Sequence, residues 1–142
     1  EETGMCFGLE IDCIGAANRM DLLTTPYAFD AEQARALTEA GADILVAHMG
    51  LTTSGTIGAE TSLTLEDCVP RIAEMAEAAR QIRSDVIVLC HGGPIAMPPD
   101  ANFILEQLDC VDGFYGASSM ERLPTENALT AQVQAFMKIR RS

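Results

Sequence analysis

Val86-Ile87-Val88-Leu89-Cys90-His91-Gly92-Gly93-Pro94 is the stretch that decides the fold. Its first five residues form an unbroken apolar run, β-branched at Val86, Ile87 and Val88. A strand that is apolar on both sides belongs to a parallel sheet covered on each face. The histidine, the two glycines and the proline then end the strand abruptly.

The same alternation recurs upstream. Thr64 caps a helix running to about Arg83, with Asp67 in its first turn. Pro70 falls inside that helix and predicts a kink or a later start. A polar loop, Gly50 to Ser62, separates it from a strand at Ile44 to Ala47. Before that strand, Asp30 and Gln33 open a helix that Gly41 closes. Leu22 to Thr25 is expected as a short strand stopped by Pro26. Leu9, Cys13, Ala16, Ala17 and Met20 recur at helical spacing, predicting an amphipathic helix from about Met5 to Met20. Downstream, Pro99-Asp100 opens a helix to about Leu108. Gly113-Phe114-Tyr115 is the last strand. Thr125 caps a terminal helix with Val133, Phe136 and Met137 on its inner side.

The order is therefore α-βα-βα-βα-βα. An open doubly wound sheet announces itself by a glycine fingerprint after its first strand, and Thr24-Thr25-Pro26-Tyr27 is not one. A barrel instead places polar residues and glycines at the carboxyl end of each strand. Thr24-Thr25, His48-Met49-Gly50, His91-Gly92-Gly93 and Gly116-Ala117-Ser118-Ser119 fit that rule. The expected class is α/β, the C-terminal half of a (β/α)8 TIM barrel: its last four parallel strands with flanking helices. A whole barrel needs about 250 residues, and the chain has 142. The N-terminal half is expected to lie outside it. The start at Glu1-Glu2-Thr3-Gly4, with no initiator Met, points the same way. A half-barrel exposes strand edges, so a longer chain or a homo-oligomer is expected.

Composition narrows the partners. A net charge of −12, with no basic stripe, argues against a nucleic-acid partner. No apolar run reaches the length of a membrane helix. Five cysteines without CxxC spacing argue against a disulfide framework and a zinc knuckle. They are expected mostly as buried small side chains in a reducing, cytoplasmic setting.

The strand ends carry the candidate chemistry. His48 and His91 each follow an apolar strand, and the two strands should be neighbours. If His91 points inward, alternation turns Leu89 and Ile87 inward too, with Val46 and Ile44 beneath His48. The imidazoles could then act as acid and base, as donors to a carbonyl, or as metal ligands; a loop-ordering role is the structural alternative. Loops after the last two barrel strands often bind phosphate. Gly92, Gly93 and Gly116, the hydroxyls of Ser118 and Ser119, and the Arg122 fork are expected to form such an anion site, with Thr25 at the mouth. The alternative is tight turns, with Arg122 paired to Glu121 or Glu126. Thr52, Thr53, Ser54 and Gly55 lie in a loop that resembles a lid. Glu121 and Glu2 are the carboxylates nearest strand ends, with solvated caps as the simpler role. Tyr27 could donate to a ligand, with packing as the default. Cys90 should point outward and take no part.

The strings LLTTPYAFD (22–30), AGADILVAHMGLTTSGTIGA (40–59), VIVLCHGGPIAMPPDA (86–101) and DGFYGASSMERLPTE (112–126) resemble the TIM-barrel phosphoenolpyruvate hydrolase-like family. That family is also labelled a TIM-barrel signal transduction protein, and a related barrel forms a domain of plant tobamovirus-resistance proteins. The resemblance implies an enzyme acting on a small anionic 2-oxo or enol acid, by hydrolysis or carbon–phosphorus chemistry. It also implies Mg²⁺ held on carboxylates, with the ligands themselves unknown from this sequence. A ligand-binding or regulatory module without turnover is the second expectation.

Overall fold

The computed structural model describes residues 6–55, 58 and 63–140. Among these the elements run α1 (Phe7–Arg19), β1 (Tyr27–Ala28), α2 (Ala31–Glu39), β2 (Ile44–His48), α3 (Leu65–Ile82), β3 (Ile87–His91), α4 (Pro98–Gln107), β4 (Gly113–Phe114) and α5 (Arg122–Met137). The four strands are parallel and lie in chain order, β1-β2-β3-β4. Successive neighbours are what a section of a barrel wall requires. A doubly wound sheet would reverse its order at a switch point. Helices also touch in chain order, α1 on α2, α2 on α3 and α3 on α4, so they cover one side of the sheet.

The core sits under that helical layer. Leu45, Ala47, Val88 and Cys90 are fully buried on the outward side of β2 and β3, against Leu37, Ile72, Met75 and Ala76. Among the described residues no helix covers the inward side of β2 and β3, and Ile87 is 44% exposed there. Cys90 points outward as expected, and burial pushes its thiol up to about 11. Cys68 and Cys90 are buried, but Cys6 and Cys13 are exposed, against expectation.

Local signals explain several ends. Asp30 accepts the Gln33 N–H (2.8 Å) to cap α2, and Gly41 follows its end at φ +101°. Thr64 and Asp67 form a reciprocal capping box at the start of α3. Because that box fixes the first turn, α3 begins at Leu65 and runs through Pro70 instead of starting after it.

Four expectations change. The first strand is not Leu22 to Thr25. Leu22 and Leu23 are exposed, and the ladder continues through Pro26, whose carbonyl accepts the Val46 N–H (3.0 Å). Pro26 gives up one ladder donor, which an edge strand tolerates. In α1 the inward face is Phe7, Ile11 and Ile14, whereas Leu9, Cys13 and Met20 are exposed. Both faces of that helix are apolar, so spacing alone could not choose. Helix α5 starts at Arg122, and Thr125 lies inside it, bonding the Glu121 carbonyl (2.7 Å). Val133, Phe136 and Met137 are exposed; only Leu123 of α5 is buried.

Candidate active site at the carboxyl ends of the strands

The register places one ring on each strand end. Val46 N–H bonds the Pro26 carbonyl and Ile44 N–H that of Thr24, so Phe29 continues in step with His48. His48 pairs directly with His91. Tyr115 N–H bonds the Cys90 carbonyl (2.9 Å), which sets Tyr115 beside His91. Side-chain alternation turns all four inward. Phe29, His48, His91 and Tyr115 thus form a row, with ring centroids 4.9, 4.7 and 5.8 Å apart in that order. Tyr27 lies one layer below and reaches His48 (4.7 Å), His91 (5.3 Å) and Tyr115 (5.9 Å). Burial, and the neighbouring Tyr115, raise the Tyr27 phenol above its ordinary range.

The two histidines carry opposite hydrogen-bond roles. Nδ1 of His48 accepts the Gly50 backbone N–H (2.9 Å). An accepting Nδ1 is bare, so in the neutral ring the proton sits on Nε2. Nδ1 of His91 lies 2.7 Å from the Tyr115 carbonyl, which can only accept. That nitrogen therefore carries the proton, and Nε2 of His91 keeps its lone pair. No described residue bonds either Nε2. Burial lowers both imidazoles, and mutual repulsion takes His48 further, to about 4. The carbonyl of Tyr115 partly offsets this at His91. At neutral pH the site presents one neutral N–H donor and one neutral base side by side.

The glycines serve close approach between strand ends. Gly92 and Gly93 lie at φ +77° and +58°, and a Cβ on either would strike the Gly50 or Met49 carbonyl. The Gly93 N–H donates to Gly50 (2.8 Å). Arg122 bonds Glu126 (2.9 Å) and the Ser54 carbonyl (3.0 Å), matching the pairing weighed as its structural alternative. The Ser118 carbonyl accepts the first N–H groups of α5, while Ser119 borders an apolar recess facing α4. Gly116 is exposed beside Met120. Two of the expected donors, the Arg122 fork and the Gly93 N–H, are thus already engaged within the chain. Thr25 is at the opposite end from the mouth, in step with Ile44, two layers below Phe29. In the loop after β2, Thr53 is tied to the Gly93 carbonyl through both its N–H (3.2 Å) and its hydroxyl (3.3 Å). Thr52 and Gly55 are described but make no hydrogen bond to the site, and 56–57 and 59–62 lie outside the described residues, as does Glu2. Glu121 is exposed at the N-cap of α5.

Phe29, Tyr115 and Glu10 were not singled out from sequence. They join Tyr27, Thr25 and Phe7 around a recess of about 480 Å³ on the inward face. The signal for Tyr115 was its position immediately after the last strand, in step with His91. Among the described residues no group of three or more His, Cys, Asp or Glu side chains is arranged to hold a metal ion.

A model of the family described as phosphoenolpyruvate hydrolase-like matches residues 1–139. The chain belongs to the phosphoenolpyruvate hydrolase-like family. The tomato (Solanum lycopersicum) ToMV resistance protein Tm-1(GCR237) is 59% identical over 139 residues, and the ToMV susceptible protein tm-1(GCR26) is 58% identical. Each match covers 98% of this chain and 18% of the tomato protein. A Sinorhizobium fredii protein, y4pA, named as a candidate transcriptional regulator, is 28% identical over 98% of this chain and 23% of its own length. The chain thus spans about a fifth of the length of these relatives. Among the described residues no helix is long and apolar enough to cross a membrane.

Proposed function

We propose that this chain supplies the acid–base pair of an enzyme acting on a small anionic 2-oxo or enol acid, by hydrolysis or carbon–phosphorus chemistry. One observation carries the reading: imidazoles 4.7 Å apart whose Nδ1 atoms take opposite partners, a backbone N–H at His48 and a carbonyl at His91. Nε2–H of His48 is suited to an oxygen on which negative charge gathers, a carbonyl or enolate oxygen. Nε2 of His91 is suited to take a proton from water or substrate. In hydrolysis of phosphoenolpyruvate, water would attack phosphorus and the bond to the enol oxygen would break. The products would be phosphate and pyruvate, after protonation of the enol carbon. Family membership supports this class of substrate by analogy.

Phosphate release from phosphoenolpyruvate by the full chain is the test. Turnover that falls at least about 100-fold in His91→Gln would support the proposal. Neither turnover nor saturable binding of phosphoenolpyruvate or phosphonopyruvate would remove it. A second reading, a ligand-binding regulatory module, is favoured by the names of the relatives, a virus resistance protein and a candidate regulator. Saturable binding without turnover would select that reading.

A further inference from the structure

The recess beside the histidines has a chemistry that a three-carbon acid would leave unused. Phe7, Pro26, Tyr27, Phe29 and Tyr115 line it together with Thr25 and Glu10, and its volume is about 480 Å³. That volume suits a ligand with a sizeable apolar body. Among the described residues the charged side chain on its wall is Glu10, an acid. Arg122, in the first turn of α5, is engaged by Glu126 and the Ser54 carbonyl. An oxyanion inside the recess would meet a carboxylate and ring faces, both of which repel negative charge. The same faces favour a flat, unsaturated ring.

We propose, resting on the functional reading above, that the substrate is an aryl-bearing or extended conjugated 2-oxo acid. Its ring lies among Tyr27, Phe29 and Tyr115, and its oxo-acid end turns away from Glu10 toward His48 and His91. The row of rings fixes this orientation. Phe29 and Tyr115 flank the histidine pair at the same level, and Tyr27 touches both imidazoles from beneath. A ring stacked there places its neighbouring carbonyl against Nε2–H of His48. Polar recognition is then confined to the histidines, and the ring contacts supply selectivity.

Phenylpyruvate and pyruvate, titrated separately into the full chain, distinguish the possibilities. Only two histidines are present, so their imidazole carbon-bound protons can be followed individually by NMR. Phenylpyruvate is expected to bind at least about tenfold more tightly than pyruvate. Tyr115→Leu should narrow that ratio to about twofold, and Phe29→Leu, at an exposed position, should narrow it too if Tyr115→Leu fails to fold. Equal affinities for the two acids would overturn this inference and leave the 2-oxo acid reading standing. No imidazole shift with either acid would overturn both.

Discussion

The two sides of β2 and β3 are made from the same ten residues yet do opposite work. Outward, Leu45, Ala47, Val88 and Cys90 are fully buried beneath α2 and α3. Inward, Val46 and His91 are buried, Ile44, Leu89 and His48 are half-buried, and Ile87 is 44% exposed. The outward side is a finished core, where alternation hides every second residue under a helix. Among the described residues no helix covers the inward side, which collects the imidazoles and phenols. Stability should therefore belong to one phase of each strand and chemistry to the other.

That division can be broken in order of decreasing effect. Val88→Asp buries an uncompensated carboxyl in the core and should abolish the cooperative urea transition. His91→Gln should lower turnover of the substrate by about 10²- to 10⁴-fold while leaving a cooperative urea transition, since only the inward phase is touched. Gly93→Ala forces a Cβ against the Met49 carbonyl at φ +58° and should cost about 1–3 kcal/mol in the same measurement.

A pH series sharpens the comparison further. The imidazoles of His48 and His91 titrate below their ordinary 6.5, so the unfolded chain binds more protons in that range. Their contribution is fully present above pH 6.5 and fades as pH falls toward the folded value, about 4 for His48. After solvent screening the loss should be at most about 2 kcal/mol, and His48→Gln should flatten it. Smallest of all, Ile87→Ala, at a 44% exposed inward position, should cost less than about 1 kcal/mol.

The middle of the fold was legible because its signals are strong. The runs Ile44 to Ala47 and Val86 to Cys90 are apolar and β-branched, and the observed strands differ by a residue or so at their ends. The pairing of His48 with His91 followed from them. The outer strands carry only two residues of regular ladder each, so little in the sequence fixes their phase. Taking Pro26 as a stop placed Thr25 at the mouth, where the ladder puts Phe29. Attention to the hydroxyls of Ser118 and Ser119 passed over Tyr115, three residues earlier and in step with His91. Arg122 has the right chemistry for an anion, but its engagement by Ser54 links positions 68 residues apart, which no local pattern records. The face of α1 was misjudged because both of its sides are apolar.

The proton positions on the two histidines test the central claim most directly. Nitrogen-15 NMR of the labelled chain at about pH 7 should find both rings neutral. His48 should be protonated at Nε2 and His91 at Nδ1. A shared tautomer, or a charged imidazole at that pH, would contradict the donor-and-base arrangement.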